Sequence, residues 1–465
     1  MYFSSLLFLF VFLPLVLAVY YVLPRRFRNG FLLLANMVFY GCGEPVFILI
    51  MIVSIVVNYI CGLLIEKYRD NQKRKKAFLV LSLVISLGLL AVFKYTGFVS
   101  DILRQLPPFS FMPKISLPLP IGISFYTFQT LSYTIDVYRG DTKAQKSIVS
   151  FGTYVSFFPQ LIAGPIVRYV DIAKMLNERR ESIKQFAEGV KLFLVGLAKK
   201  VLIANQMGLL WDTLRETAGA NGVVGIWIGI ISFAFQIYFD FAGYSDMACG
   251  LGKMFGFEFM KNFNYPYISK SITEFWRRWH ISLSSWFRDY VYIPLGGNRR
   301  KLPRVIFNLF VVWALTGLWH GANFNFIAWG IYYFIILVLE KYVYGKYLEK
   351  LPSVLQHIYA LLFILIGWTI FYFEDFSQLT QYLGCMFTLK NGIIGTDAAS
   401  VILSYIPLIL AAALASVPIW RNLYLKIKDR KIMAVLEMVF CAAVLVLCTA
   451  SLVNQSYNPF LYFRF

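Results

Sequence analysis

The sequence predicts an all-α, polytopic membrane protein, and three observations lead to that fold class. Hydrophobic residues make up 59% of the 465-residue chain, aromatic residues make up 18%, and the mean hydropathy is +0.65. Such values are far above those of soluble domains. Apolar stretches of about 20 residues, which cross a bilayer core as helices, recur along nearly the whole chain. A β-barrel is excluded because runs such as FLVLSLVISLGLLAVF at 78–93 do not alternate in polarity.

The hydropathy pattern predicts about 11 to 13 transmembrane or re-entrant helices. The first apolar run is interpreted as a retained helix rather than a signal peptide, because no positive charge precedes it. The predicted spans are 2–22, 30–41, 46–65, 78–96, 121–137, 148–165, 186–209, 223–250, 306–322, 325–344, 355–373, 400–419 and 432–453. Since no internal repeat and no long polar linker interrupts them, a single integral-membrane domain over 1–465 is predicted.

Basic residues are concentrated in short segments between these spans, and the net charge is +20. In a soluble protein this charge would suggest nucleic acid, but here the positive-inside rule explains it and no nucleic-acid partner is predicted. The rule places 25–28, 67–76 and 299–304 in the cytoplasm and the N-terminus outside. The six cysteines are scattered without a CxxC pair, so neither a disulfide framework nor a zinc site is predicted.

Helix breakers interrupt two apolar segments, LPLPIGISFY at 117–126 and FFPQLIAGPIVR at 157–168. Backbone groups left unpaired in hydrocarbon cost several kcal/mol each, so broken helices need burial in protein or a wet cavity. The pattern therefore favours a central cavity or funnel. A packing kink, or a loop just outside the membrane, is the alternative.

Two acids, Asp240 and Asp246, interrupt the predicted span at 223–250. Carboxylates inside a membrane face the protein interior and mark pathways or sites by default. A structural ion pair is the other interpretation, because buried charges are commonly paired. Neither acid is assigned to catalysis.

His320 lies in the apolar run FNLFVVWALTGLWHGANFNFIAWG, where an imidazole has few ways to be satisfied. Thr316 shares its helix face, and Gly317 and Gly321 allow another backbone or a slim substrate to approach closely. A buried neutral imidazole suits general-base chemistry at neutral pH. From position alone, a core histidine bonded to a carbonyl is an equal alternative.

The segment 262–304 combines aromatic and basic residues, which is typical of short amphipathic helices at the cytoplasmic membrane surface. His280 lies within it, at a predicted cytoplasmic mouth. Guanidinium groups suit the phosphates of an anionic cosubstrate, although anionic lipid headgroups are an equal alternative. The candidate binding residues are Arg277, Arg278, Arg288, Arg299 and Arg300, with Asn298 in the adjacent Gly296-Gly297-Asn298 turn. With only His280, His320 and His357 and no clustered ligands, no metal site is predicted.

Five stretches in order along the chain resemble the membrane-bound O-acyltransferase family, in particular the bacterial branch typified by alginate O-acetylation. They are LPIGISFYTFQTLSYTIDVYRGD from 119, FFPQLIAGPIVR from 157, YFDFAGYSDMACGLG from 238, SITEFWRRWHISLSSWFRDYVYIPLGGNRR from 271 and TGLWHGANFNF from 316. The closing YNPFLYFRF is also similar. The resemblance covers 1–345 as a family core, and 346–465 supplies C-terminal helices that form scaffold or a partner-docking surface.

The resemblance implies a ring of helices around a funnel or tunnel, with the invariant family histidine at its narrow part. His320 occupies that position, and His280 occupies the place of a second polar residue some 40 positions upstream in the family. Both are therefore candidate catalytic residues. Some relatives carry a histidine where this chain has Gln160, which argues against an essential acid or base there.

The resemblance further implies acetyl transfer from cytoplasmic acetyl-CoA, a cosubstrate, with no tightly bound cofactor. The chain would lie in the bacterial cytoplasmic membrane and pass acetyl groups to an extracytoplasmic SGNH-type acetyltransferase, which decorates a polysaccharide. Acyl transfer needs a base, oxyanion stabilisation and exclusion of water, and the funnel would supply the last. Arg277, Arg278, Arg288, Asn298 and Arg299 are the candidate donor-binding residues.

Two alternatives differ in chemistry. One is transfer of D-alanine to teichoic acid from a carrier protein. The other is a transporter or flippase, in which Asp240 and Asp246 would line a pathway without covalent chemistry. The absence of paired halves in the sequence disfavours the transporter.

Overall fold

The computed structural model of the chain describes residues 1–162, 164–428, 431–454, 457–459 and 461. The secondary structure in these ranges is helical, and no strand occurs within them. The predicted all-α fold class is confirmed. The ring around a funnel stays a prediction, as does the single domain over 1–465.

The helices fall into two sets along the chain, separated by an irregular segment near 255–271. The first set is α1 Leu13–Val22, α2 Arg25–Gly41, α3 Ile48–Lys67, α4 Gln72–Arg104, α5 Ile123–Arg139, α6 Ile148–Ser156, α7 Phe158–Leu161, α8 Tyr169–Glu178, α9 Ile183–Ala198, α10 Asn205–Glu216 and α11 Gly222–Met254. The second set is α12 Ile272–Arg278, α13 Ile281–Phe287, α14 Leu302–His320, α15 Phe324–Leu339, α16 Gly345–Leu348, α17 Ser353–Tyr372, α18 Phe376–Phe387, α19 Thr396–Ala415, α20 Ile419–Ile427 and α21 Lys431–Asn454.

Short π-helical and 3₁₀ turns connect or extend these helices. The π turns are Phe8–Phe12, Lys199–Ala204, Arg288–Tyr292 and Glu340–Tyr344, and the 3₁₀ turns are Pro107–Phe109, Ala218–Ala220 and Pro266–Ile268. π turns are rare and occur frequently at functional sites. The turns 288–292 and 340–344 both line the cavity described below.

Within the described ranges, eight helices are long and apolar enough to cross a membrane. They are α3, α4, α11, α14, α15 with its continuation to Leu348, α17, α19 and α21 from Ile432. The other five predicted spans fold as shorter or interrupted helices. α5 is bounded on both sides by glycines, Gly122 and Gly140, which adopt positive φ angles of 76° and 86°.

The chain divides into two compact units. The first consists of 1–193 and 245–260, and the second consists of 194–244 and 261–465. Both segments with predicted helix breakers belong to the first unit, and both are broken: α5 begins after Gly122, and α6 and α7 are separated at Phe157. Gln160 is fully buried there and donates from Nε2 to the Tyr154 carbonyl oxygen at 2.6 Å.

In the second unit, α14 and α15 pack closely through glycines. A Cβ atom at Gly317 would overlap the Phe326 carbonyl oxygen, and one at Gly330 would lie 2.5 Å from the Trp313 carbonyl oxygen. Gly321 lies against the Phe326 ring in the same way. The close approach predicted at Gly317 and Gly321 therefore serves helix packing, which places the C-terminal end of α14 beside α15.

We expect Gly317→Ala to lower the free energy of unfolding by about 1–3 kcal/mol, because the added methyl group forces the two helix backbones apart. Gly384→Ala in α18 is the matched control, since a Cβ atom there meets nothing within 4 Å. Alanine should leave that helix unchanged or more stable by up to about 1 kcal/mol. Thermal unfolding of both variants in one detergent tests the difference, and equal midpoints would contradict it.

Asp240 forms a buried ion pair, with its Oδ1 atom 2.6 Å from the Nζ atom of Lys200. Its Oδ2 atom accepts a hydrogen bond from the Leu461 N–H at 2.9 Å. Lys200 in turn donates to the Pro459 carbonyl oxygen. The ion-pair interpretation of Asp240 is confirmed, and the pair also anchors the closing segment, of which 460 and 462–465 lie outside the described residues.

Candidate active site

A single cavity of about 1000 Å³ brings His280 and His320 together in the second unit. Its lining residues lie between 270 and 356, on α12, α13, α14, α15, α16, α17 and the two π turns. The wall passes from exposed charged side chains to the buried His280. The cavity therefore combines an exposed, charged surface with a buried imidazole.

Five exposed basic side chains line the outer part of the cavity, which we call the basic mouth: Lys270, Arg277, Arg288, Lys341 and Lys346. Three acids, Glu274, Glu340 and Glu349, also line the cavity. Two of them are engaged within the protein. Glu274 pairs with Arg278 at 2.8 Å, and Glu340 accepts hydrogen bonds from the start of α12. Arg288 is itself paired with Asp289 at 2.7 Å, so the other four basic side chains make the mouth electropositive, which suits an anionic ligand.

Glu340 holds the beginning of α12 in place. Its Oε1 atom accepts from the Ile272 N–H at 2.6 Å, and its Oε2 atom accepts from the Thr273 N–H at 2.8 Å. The Thr273 and Tyr359 hydroxyl groups donate to the same carboxylate at 2.6 and 2.9 Å. A carboxylate at a helix N-terminus satisfies its free N–H groups and interacts favourably with the helix dipole. Glu340 thus fixes the helix that carries Arg277 and leads into His280.

His280 lies at the junction of α12 and α13, where it adopts a left-handed backbone conformation with φ of 44°. Its Nδ1 atom is 3.1 Å from Asn262 Oδ1 and 3.4 Å from Ser282 Oγ. The ring is 1% exposed and packs edge-on against Phe241 at 4.7 Å between centroids. Burial lowers the pKa of His280 to about 3, because the charged imidazolium is poorly solvated there.

His320 is the last residue of α14, and aromatic rings pack against it. The centroid of its ring lies 4.9 Å from Trp319, 5.0 Å from Trp329 and 5.2 Å from Phe371, each in an edge-to-face arrangement. Such packing restricts rotation of the imidazole and surrounds it with apolar surface. His320 is only partly buried and lines the cavity, so a ligand can reach it.

Trp319 lies between the two histidines. Its ring centroid is 5.8 Å from that of His280 and 4.9 Å from that of His320. Thr316, one turn before His320, lines the same cavity and donates its hydroxyl proton to the Val312 carbonyl oxygen at 2.7 Å. Both imidazoles therefore line one cavity, and the Trp319 ring packs against each of them.

Three of the five predicted donor-binding residues line the cavity, and two do not. Arg277, Arg288 and Asn298 belong to the lining. Arg278 lies outside it and is bound to Glu274 and to the Asn264 carbonyl oxygen at 3.0 Å. Arg299 and Arg300 also lie outside the lining.

Asn298 is presented by a turn in which Gly296 and Gly297 have φ angles of 108° and 52°, values that favour glycine. Its Oδ1 atom accepts from Lys341 Nζ at 2.6 Å and from the Tyr292 hydroxyl at 2.7 Å. Asn298 therefore positions a lysine of the basic mouth.

Sequence reasoning missed Lys270, Lys341, Lys346 and Glu340. The three lysines gave no distinct signal, because isolated lysines are common beside membrane spans. Glu340 did give one, since it is an acid that directly follows an apolar helix. The third histidine, His357, hydrogen-bonds through Nδ1 to the Ser269 carbonyl oxygen at 3.1 Å and is structural. No cluster of potential metal ligands occurs in the part of the chain that the structure describes.

Residues 142–376 match the membrane-bound O-acyltransferase (MBOAT) family. The chain belongs to this family, and it is a multi-pass membrane O-acyltransferase. It is 42% identical to the probable alginate O-acetylase AlgI of Pseudomonas aeruginosa, over 88% of this chain and 81% of that protein. It is also 33% identical to the peptidoglycan O-acetyltransferase of Helicobacter pylori, over 84% and 80% of the two chains.

A more distant similarity links the chain to the teichoic acid D-alanyltransferase of Bacillus subtilis. Here the identity is 28%, over 56% of this chain and 70% of that protein. The predicted family and enzyme class are confirmed by these similarities. The cavity with both histidines lies between 270 and 356, inside the part of the chain that matches the family.

Proposed function

We propose that the protein takes acetyl groups from cytoplasmic acetyl-CoA and transfers them across the bacterial cytoplasmic membrane. There they serve for the O-acetylation of an extracytoplasmic polysaccharide. The observation that supports this most is the cavity in which a mouth of five basic side chains leads to His280 and His320. An anionic donor and a base-dependent reaction need this combination.

The donor would place its phosphate groups at the basic mouth. Coenzyme A carries a diphosphate and a ribose phosphate, which lysine and arginine side chains bind through charge-assisted hydrogen bonds. The uncharged pantetheine arm would extend inward past α12 and α14. Because Trp276, Trp279 and Trp313 line this inner part, the wall provides apolar surface for the arm and excludes water from the thioester.

In the chemical step, the imidazole of His320 accepts the proton of an acceptor hydroxyl while that oxygen attacks the thioester carbonyl. The carbon–sulfur bond then breaks, and the thiolate takes the proton from the imidazolium, which gives an acetate ester and the free thiol of coenzyme A. A neutral, partly accessible imidazole suits this role.

The acceptor and partner are proposed from the relatives. The names of the two O-acetylating relatives, alginate O-acetylase and peptidoglycan O-acetyltransferase, both point to carbohydrate hydroxyl groups. An SGNH-type acetyltransferase outside the membrane would receive the acetyl group and deliver it to the polymer. Transfer of D-alanine is the second candidate, favoured only by the shorter and weaker similarity to D-alanyltransferases.

Labelled acetyl-CoA supplied to the purified protein in nanodiscs, with and without an SGNH-type partner and polymer, tests this proposal. We expect the label to leave coenzyme A and appear as an ester. Label transfer from a D-alanyl carrier protein, and none from acetyl-CoA, would replace the proposal by the second candidate. A deletion strain should lose O-acetyl groups from one cell-surface polysaccharide, which identifies the polymer.

We expect Arg277→Gln to raise the KM for acetyl-CoA about tenfold with little change in kcat, because a charge-assisted bond to phosphate is lost while the reaction zone is intact. Arg299→Gln is the matched control, since this arginine lies in the same basic segment but outside the cavity lining. Initial rates over a range of acetyl-CoA concentrations measure both. If Arg299→Gln raised KM as much as Arg277→Gln, the donor would bind elsewhere.

A further inference from the structure

Asn262 contacts His280 from the irregular segment between α11 and α12, and both side chains are buried. Its Oδ1 atom lies 3.1 Å from the Ser282 backbone nitrogen, 2.9 Å from the Ser282 hydroxyl and 3.1 Å from His280 Nδ1. Three polar groups thus converge on one amide oxygen.

The backbone contact identifies which atom of the Asn262 amide faces the histidine. A backbone N–H is always a donor, so the atom opposite Ser282 N must be the oxygen. The reversed amide would set an NH₂ group against an N–H group. An amide oxygen only accepts hydrogen bonds, and this property constrains the histidine.

The proton of a neutral His280 therefore lies on Nδ1. Without it, the Nδ1 lone pair would face the Asn262 Oδ1 lone pairs at 3.1 Å. The Ser282 hydroxyl does not offer an alternative, because it is nearer to Asn262 Oδ1, at 2.9 Å, than to His280 Nδ1, at 3.4 Å. Which nitrogen of a histidine carries the proton is set in this way by the partner of the other nitrogen.

The second ring nitrogen, Nε2, is buried and has no hydrogen-bond partner among the described residues. His280 lines the cavity. We propose that Asn262 is a positioning residue, which holds the proton of His280 on Nδ1 and leaves Nε2 as an unprotonated hydrogen-bond acceptor. The hydrogen-bond donor to Nε2 is an N–H or O–H group of a bound substrate, so the inference rests on the proposed function.

This assignment divides the work between the two histidines. His280 is buried in uncharged surroundings and remains neutral at neutral pH, and an imidazole that is hard to protonate is a weak base. It accepts a hydrogen bond and orients the donor arm or the acceptor hydroxyl. Removal of the hydroxyl proton is left to His320.

The hydrogen-bonding and aromatic neighbours of the His280 ring among the described residues are uncharged: Asn262, Ser282, Phe241, Phe263 and Trp319. The elements that carry them bear titratable groups elsewhere. Asp240 on α11 pairs with Lys200, Glu274 on α12 pairs with Arg278, and His320 follows Trp319 on α14. Lys261 beside Asn262 donates to Asn264, and Arg277 and Arg288 lie at the basic mouth.

The tautomer can be measured directly, because the chain contains only three histidines. Protein labelled with ¹⁵N-histidine, in lipid, is studied by magnetic resonance, and a His280→Gln variant assigns the signals. We expect one-bond proton coupling at Nδ1 and an unprotonated Nε2 from about pH 5 to 9. This readout needs no acyl donor, so it can fail or succeed independently of the proposed function.

Two variants then test the role of Asn262. In Asn262→Leu nothing holds the proton on Nδ1, and we expect a mixture of tautomers with kcat/KM lowered about tenfold. In Asn262→Asp a carboxylate accepts the same hydrogen bonds but favours the imidazolium, which raises the pKa of His280. The pH profile of this variant should therefore show a new fall in activity towards low pH, where the His280 ring is protonated. Activity should recover at higher pH, where the ring is neutral.

Asn308→Asp is the matched control, because Asn308 is a fully buried asparagine of the same unit that donates to the Gly297 carbonyl oxygen. It should produce no new acid limb. The proposal is overturned if the wild-type proton lies on Nε2, or if Asn262→Leu keeps the Nδ1 tautomer. It is also overturned if Asn262→Asp lowers activity equally at every pH, which would indicate a merely structural residue.

Discussion

His320→Ala should reduce acetyl transfer from acetyl-CoA by about 10²- to 10⁴-fold, the range that a general base contributes. The fold should survive, since His320 ends α14 and is only partly buried. The loss should appear in kcat, with KM for acetyl-CoA nearly unchanged, because the side chains of the basic mouth that would bind the donor remain in place.

His357→Ala is the matched control for this experiment. It removes a histidine of the same unit that bonds the Ser269 carbonyl oxygen and does not line the cavity. Transfer is followed with labelled acetyl-CoA in nanodiscs, and circular dichroism establishes that both variants are helical. Undiminished transfer by His320→Ala would remove the base assignment, whereas equal losses in both variants would indicate damage to the fold.

Asp240→Ala is expected to destabilise the protein by about 3–5 kcal/mol, the cost of leaving a buried charge without its partner. The variant leaves the Lys200 ammonium group without its ion-pair partner, in a site where the side chains of Lys200 and Asp240 are each only 3% exposed. It also removes the acceptor of the Leu461 N–H, so the closing segment loses one of its anchors. Thermal unfolding in detergent, followed by circular dichroism, measures the loss.

The double variant Lys200→Met with Asp240→Leu is the decisive comparison. Replacement of a buried ion pair by apolar residues of similar volume is often neutral or stabilising. We therefore expect the double variant to be more stable than Asp240→Ala. An exposed pair, Arg168 with Asp171, supplies the control: Asp171→Ala should change stability by less than about 1 kcal/mol. A double variant as unstable as Asp240→Ala would show that the pair has a further structural role.

The fold class could be predicted because hydropathy reports directly on the solvent of a helix. The exact number of spans could not. The segment 121–137 folds as the 17-residue α5, Ile123–Arg139, but this helix is buried on nearly all sides and carries polar residues such as Gln129 and Asp136. The segment 186–209 lies within one continuous helical stretch, in which a π turn joins α9 to α10. A hydropathy average therefore does not by itself separate a helix buried within the protein from one that faces the lipid.

The sequence placed His320 and His280 in one candidate site, and the structure brings both to one cavity, while their catalytic roles stay predictions. His320 stood out as an imidazole in an apolar helix, and the resemblance paired it with His280. The basic residues were harder, because composition does not reveal which guanidinium groups are already engaged. Arg278 lies four residues after Glu274 and forms an ion pair within α12, whereas Arg277, its neighbour in sequence, points into the cavity lining. Spacing on a helix could have separated them.

Trp319 has a practical consequence for the study of this enzyme. Its indole ring contacts both imidazoles, so its electronic environment depends on the charge of His320 and on what occupies the space beside His280. A fluorine label on tryptophan, with the Trp319→Phe variant to identify the signal, would make this ring a built-in reporter. Titration of the empty enzyme and of the donor complex could then be followed at the reaction zone itself, without a turnover assay.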